Sequence, residues 1–141
     1  MNAALLDNNQ VAILAYGVKV KAMRKFMGTE EFQERTQQFH SEPQIFEMRK
    51  PKRHKKPDLA IVFDLLGDYD QWKLVFDDDL VERRKFSDRM NVGLLDNNQV
   101  AILAYGVNVK AMEEFMGTEE FQERTRQFHL EPQIYELSKL D

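Results

Sequence analysis

Apolar residues in the second half of the chain fall into two short runs separated by a polar turn sequence. Residues 90–95 and 100–105 are rich in Val, Ile and Leu, and they flank the tetrapeptide Asp-Asn-Asn-Gln at 96–99. Asn and Asp side chains favour turns and tolerate left-handed backbone. The two runs therefore predict a β-hairpin.

A helical stripe follows this hairpin. Asn108 is a suitable N-cap, Gly117 interrupts the helix, and Thr118 is placed to cap it again. Pro132 ends the pattern, and residues 133–137 alternate as a strand. The residues of the stripe are Val109, Met112, Phe115, Met116, Phe121, Thr125 and Phe128.

A strand and a helix are predicted upstream of the hairpin. Residues 59–65 (LAIVFDL) are apolar and rich in β-branched side chains, which is typical of a strand buried on both faces. A turn at Gly67 and Asp68 leads into a helical pattern that reaches about Ser87, with Trp72, Val75, Phe76 and Leu80 as its stripe. The order over residues 58–141 is therefore βαββαβ, the ferredoxin-like arrangement of an α+β fold.

Most of this unit occurs twice. Residues 1–48 align with residues 90–137, and 39 of the 48 positions are identical. The chain thus divides into a partial ββαβ copy at 1–48, a linker at 49–57 and a complete copy at 58–141. A recent duplication explains the identity, so the identity does not show which residues are functional.

The partial copy lacks the first strand and helix of the unit. A ferredoxin-like sheet has the strand order 4-1-3-2, so the missing strand is a central one, and its neighbours would leave backbone groups unpaired. Two interpretations remain open. Either a segment equivalent to 57–89 precedes Met1 in a tandem barrel, or molecules exchange residues 59–65 in a swapped homo-oligomer.

Composition and charge restrict the function further. The 141-residue chain is 43% hydrophobic and has no cysteine, which excludes disulfides and thiolate chemistry. The sequence contains neither an apolar run of membrane-spanning length nor a signal peptide, so we expect a cytoplasmic protein without a membrane partner. The linker, RKPKRHKKP, is strongly basic, but its acidic flanks and lack of aromatic residues argue against a nucleic-acid partner.

Three features of the sequence carry a resemblance to a known family. They are LAIVFDLLGDYDQWKLVFDDDLVERRKF, the hairpin around DNNQ, and VKAMEEFMGTEEFQ followed by EPQIYEL. Together they resemble the dimeric α/β-barrel superfamily, especially its small uncharacterised members near the antibiotic biosynthesis monooxygenase-like branch. The resemblance implies self-association into a barrel whose cavity binds a small hydrophobic or aromatic molecule. It leaves a cofactor-free monooxygenase-like enzyme and a purely structural or interaction protein as alternatives, and it implies no cofactor.

The candidate catalytic residues are Asp64, Tyr105 and His129. Asp64 ends an apolar strand, where burial would raise the pKa of its carboxyl group and suit it to proton abstraction, although a strand-end Asp also caps turns. His129 and its repeat partner His40 follow a helix. Each either acts as a base or ligand at the barrel mouth or interacts with the helix dipole.

The candidate ligand-binding residues are Trp72, Tyr16 and His40, and the aromatic residues among them are equally suited to filling a core. No metal is predicted. Residues 77–79 are three aspartates, but consecutive residues on a helix point about 100° apart, so we expect a solvated helix face there.

Overall fold

The computed structural model describes residues 1–39, 43–49, 56–129 and 131–140. Within these ranges the chain is an α+β structure of seven strands and six helices. The strands are β1 (Asn2–Leu5), β2 (Val11–Leu14), β3 (Phe46–Arg49), β4 (Leu59–Asp64), β5 (Arg89–Leu94), β6 (Gln99–Tyr105) and β7 (Gln133–Lys139). The helices are α1 (Val20–Met27), α2 (Glu30–Thr36), α3 (Tyr69–Asp78), α4 (Leu80–Arg83), α5 (Val109–Met116) and α6 (Glu119–Thr125). None of the helices in the described ranges is long and apolar enough to cross a membrane.

Five strands form one antiparallel sheet in the order β3-β7-β4-β6-β5, and β1 and β2 form a separate hairpin. Strand β4 is central, because it pairs with β6 along its whole length and with β7 along four residues. Its first five residues are buried. The prediction of a strand buried on both faces at 59–65 is therefore confirmed.

The turns and helix caps follow the predicted chemistry. Asn98 adopts a left-handed backbone with φ of 66°, and the amide of Leu95 donates to the carbonyl of Gln99 at 2.7 Å to close the hairpin. The side chains of Asn108 and Thr118 accept hydrogen bonds from backbone amides at the starts of α5 and α6. These local predictions are confirmed.

The predicted helix through Ser87 is broken at Asp79. The backbone of Asp79 leaves the helical conformation, with φ of −88° and ψ of 11°, and a separate short helix, α4, follows it. Arg83 is consequently turned inward and buried, whereas Leu80 is exposed. The prediction that Leu80 continues the apolar stripe was wrong, because the helix does not run straight past Asp79.

The five-stranded sheet has a different apolar layer on each face. On one face, helices α3, α5 and α6 pack over the sheet, and the core there includes Leu59, Ile61, Phe63, Trp72, Val100, Ile102, Met112 and Phe128. On the other face, the β1–β2 hairpin packs through Ala4 and Leu14 against Val62, Leu95 and Ala101. The N-terminal hairpin therefore covers the side of the sheet that the helices leave open.

Equivalent residues of the two copies make reciprocal hydrogen bonds. The amide of Asp7 donates to the carbonyl of Val92 at 3.0 Å, and the amide of Asp96 donates to the carbonyl of Ala3 at 3.2 Å. Asp96 and Val92 are the repeat partners of Asp7 and Ala3. These paired contacts relate the two hairpins by a local two-fold arrangement.

The pairing of β3 with β7 has the same symmetry. Met48 lies opposite Leu137, which is its own repeat partner, so the register is centred on equivalent positions.

One sequence difference fits the close approach of the hairpins: a Cβ atom at Gly93 would lie 2.6 Å from the carbonyl oxygen of Leu5. The first copy has Ala4 at this position, so only the second copy needs glycine there.

Candidate functional site

A cavity of about 70 Å³ lies between the sheet and the helices of the second copy. Its wall is mainly aromatic and aliphatic, and four polar residues, Asp79, Arg83, Thr125 and His129, also contribute to it. We call it the helix-side cavity. It lies on the opposite face of the sheet from the β1–β2 hairpin, because its sheet residues Ile61, Phe63 and Ile102 belong to the helix-covered core.

Trp72 forms part of the cavity wall and is buried. Helix α3 holds it there, and Asp68 caps that helix by accepting a hydrogen bond from the amide of Gln71 at 3.1 Å. The indole packs edge-on against Phe63 at 5.3 Å between centroids and stacks on Phe76 at 5.1 Å. Such aromatic contacts add to the stability of the wall beyond the area that they bury.

His129 contributes to the same cavity. It follows α6, its amide donates to the carbonyl of Thr125 at 3.3 Å, and its ring centroid lies 4.4 Å from that of Phe63. The structure therefore brings together two of the residues singled out from the sequence, Trp72 and His129, with Phe63 between them.

Buried charges contribute to the cavity wall as well. Asp79 is only 6% exposed and accepts a hydrogen bond from Arg124 at 2.5 Å. The prediction of a solvated face for residues 77–79 was thus wrong for Asp79, although Asp77 is exposed and pairs with Lys73 at 2.7 Å. The helix break turns Asp79 inward, and nothing in the sequence pattern marked that break.

Arg83 is the second buried charge. Its Nε and Nη2 atoms donate to the carbonyl of Phe76 at 3.2 and 2.8 Å, and its guanidinium carbon lies 3.5 Å from the centroid of the Phe76 ring. Burial lowers the pKa of Arg83, while the charges of Asp77 and Asp79 act in the opposite direction. Nothing in the sequence marks Arg83 as buried, because it stands in the charged run Glu82-Arg83-Arg84-Lys85, which is typical of a solvated helix face.

The other predicted catalytic residues lie elsewhere. Asp64 is exposed at the end of β4, where its Oδ1 accepts a hydrogen bond from Nε2 of Gln99 at 3.1 Å. Tyr105 is half-buried, with the guanidinium of Arg89 4.3 Å from its ring centroid. Because β4 pairs Asp64 with Gln99, the β6 ladder places Tyr105 about 20 Å from Asp64 at roughly 3.4 Å per residue. The two side chains are too far apart to act on one small substrate.

Tyr16, another predicted ligand-binding residue, is not part of the cavity wall. Tyr16 is exposed, and partial burial together with the neighbouring Tyr135 raises the pKa of its hydroxyl group. His40 lies outside the described residues. Within the described ranges, no group of three or more His, Asp or Glu side chains is placed to hold a metal ion.

The scan against protein-family models, the search of curated proteins and the search of solved structures each found no match to this chain.

Proposed function

We propose that the protein binds a small hydrophobic or aromatic molecule in the helix-side cavity. The observation that supports this proposal most is the aromatic wall of the cavity, which includes Trp72. His129 and the buried charges Asp79 and Arg83 also contribute to this wall. Apolar walls with a few placed polar groups are typical of small-molecule sites. The volume of about 70 Å³ is far below the roughly 300–1,000 Å³ of drug-sized sites, so the ligand is no larger than a single ring.

The fold proposed for this function is a ferredoxin-like unit within an α/β barrel. The order β7-β4-β6-β5 supports the unit, since it corresponds to 4-1-3-2 in the second copy. The reciprocal hydrogen bonds and the symmetric β3–β7 pairing support a barrel whose two halves are the two copies in one chain.

The intrinsic fluorescence of Trp72 tests the binding proposal, because it is the only tryptophan of the chain. We expect titration with phenol, other single-ring aromatic compounds or short aliphatic acids to change the emission of Trp72 in a saturable way. Native mass spectrometry of freshly purified protein should detect a retained small molecule.

The repeat supplies a matched control for this experiment. Met116 forms part of the cavity wall, and its repeat partner Met27 lies in α1 of the first copy, where no residue forms part of that wall. Met116→Phe fills the cavity and should weaken binding at least 10-fold, whereas Met27→Phe should leave it unchanged. Binding that Met116→Phe does not affect, or the absence of both a retained molecule and a fluorescence response, would contradict the proposal.

A second candidate function is cofactor-free oxidation of an electron-rich ligand, and the position of His129 in the cavity wall favours it. Oxygen uptake with phenols or quinols tests this function. Uptake should be lost in His129→Gln, because His129 forms part of the cavity wall, and kept in its repeat-partner variant His40→Gln. Equal uptake by the two variants would exclude a role of His129.

A further inference from the structure

Identical residues of the two copies differ sharply in exposure. Val11 and Ile13 on β2 are 65% and 61% exposed, whereas their repeat partners Val100 and Ile102 are 0% and 6% exposed. Phe39 is 76% exposed, and its partner Phe128 is 5% exposed. We call the outer surface formed by Leu5, Val11 and Ile13 the acceptor face. Because the residues in each pair are identical, the sequence at these positions does not cause the difference in exposure. A structural element therefore covers the second copy and leaves the first copy exposed.

The cover in the second copy is a strand and its helix. Strand β6 pairs with β4 from Leu59 opposite Ala104 to Asp64 opposite Gln99, and α3 packs over the same face through Trp72 and Phe76. Strand β2 pairs only with β1 among the described residues. Its other edge, the equivalent of the edge of β6 that β4 occupies, is open to a further strand.

The strand order gives the place of the absent element. Repeating the order β7-β4-β6-β5 in the first copy gives β3, an absent strand, β2 and β1. Strand β3 already extends the five-stranded sheet beyond β7, and within the described residues it pairs with no other strand. One strand would thus join β2 to β3 and complete the proposed barrel.

The charges of the first copy fit such a segment. Helix α1 has Arg24 and Lys25 where α5 has Glu113 and Glu114, so the first copy is more basic on this helix. Residues 57–89, which contain the strand and helix that cover the second copy, have nine acidic and five basic side chains. Opposite charges favour association of an acidic segment with the more basic first copy.

We infer that the acceptor face binds a strand followed by an acidic helix, with the chemistry of residues 57–89. This inference rests on the proposed barrel. An intact second copy of the chain is not the occupant, because its own segment is central in its sheet and removing β4 would leave one edge of β6 and one edge of β7 without a pairing strand. Residues 57–89 thus already cover the second copy, and a further segment of the same chemistry is needed to cover the acceptor face.

A fusion tests the inference without a designed linker. Residue 89 directly precedes Met90, the repeat partner of Met1, so a second copy of residues 57–89 can be joined directly to Met1. In the fusion we expect hydrogen exchange of the amides of residues 11–14 to slow at least 10-fold and binding of the dye ANS to fall at least 3-fold. The control is the same fusion with Ile61→Asp and Phe63→Asp in the added segment only, which keeps the length and disfavours burial.

The outcomes are distinct. Equal exchange of residues 11–14 in the fusion and its control would overturn the inference. Concentration-dependent dimerisation of the unfused chain, with residues 11–14 already protected, would also overturn it, because a second copy would then be the occupant. Trp72 fluorescence of the unfused chain reports ligand binding separately, so failure of the acceptor does not imply failure of the cavity.

Discussion

Truncation of one isoleucine in each copy measures how much the covering segment contributes. Ile102 and Ile13 are repeat partners, each in the second strand of its hairpin, but Ile102 is 6% exposed and Ile13 is 61% exposed. Replacement by Ala removes three carbons, which is worth about 2.4 kcal/mol at roughly 0.8 kcal/mol per buried carbon. The cavity left in a packed core adds to this, so Ile102→Ala should cost about 3 kcal/mol.

Ile13→Ala should cost much less. Only about two fifths of the Ile13 side chain is covered, so the transfer term is about 1 kcal/mol at most, and open surroundings add no cavity term. The two variants should therefore differ by about 2 kcal/mol although the same residue is changed at the same repeat position.

Urea unfolding followed by far-ultraviolet circular dichroism measures the difference. With a slope of about 2 kcal/mol per molar, Ile102→Ala should lower the midpoint by about 1.5 M and Ile13→Ala by about 0.5 M or less. Equal losses in the two variants would contradict this expectation, because they would show that Ile13 is covered in solution. A repeat of the measurement at tenfold lower protein concentration would show whether self-association provides that cover.

Three further outcomes are expected. Arg124→Ala removes the partner of the buried Asp79 and should lower the free energy of unfolding in urea by about 1–3 kcal/mol. Arg35→Ala, at the matching exposed position, should lower it by less than about 0.5 kcal/mol. Equal losses in the two variants would contradict a stabilising ion pair between Arg124 and Asp79. Gly93→Ala places a Cβ atom 2.6 Å from a backbone oxygen of the N-terminal hairpin and should destabilise the protein by about 1–3 kcal/mol, and an unchanged melting temperature would show that the hairpin does not approach so closely. Burial, followed by nearby aspartates, raises the pKa of Tyr69, so its contribution to stability is present below about pH 10 and lost as the pH rises through its folded value. Tyr69→Phe should flatten this alkaline loss, and an unchanged slope of stability against pH would exclude Tyr69 as its source.

Local sequence signals predicted the elements well. The Asp-Asn-Asn-Gln turn, the caps at Asn108 and Thr118 and the apolar strand at 59–65 each depend on interactions within a few residues, and the structure has all of them. Trp72 and His129, two of the residues singled out from the sequence, lie in the cavity wall, because local periodicity places an aromatic residue on a helical stripe and a histidine after a helix.

Long-range features were not predictable in the same way. Asp79 and Arg83 are buried because the helix is interrupted at Asp79. Charged residues in a helical pattern otherwise indicate a face that is exposed to solvent. The separation of Asp64 from Tyr105 follows from the antiparallel register of two strands. A single sequence contains no direct record of that register.

The repeat separates local from long-range effects within one molecule. Helices α1 and α5 have the same length and nearly the same sequence. Helices α1 and α2 lie wholly in the described part of the chain, and none of their residues is buried. In the second copy, by contrast, Met112 of α5 and Thr125 of α6 are buried. Isolated helices of seven or eight residues are marginal in water, so their stability comes mainly from packing against a sheet. The first copy is held through one face of its hairpin, at Ala4 and Leu14, and through β3. Helices α1 and α2 should therefore exchange amide hydrogens faster than α5 and α6. A segment that covers the acceptor face should slow exchange in α1 and α2 as well as in residues 11–14, because the same segment buries the helices and the strand.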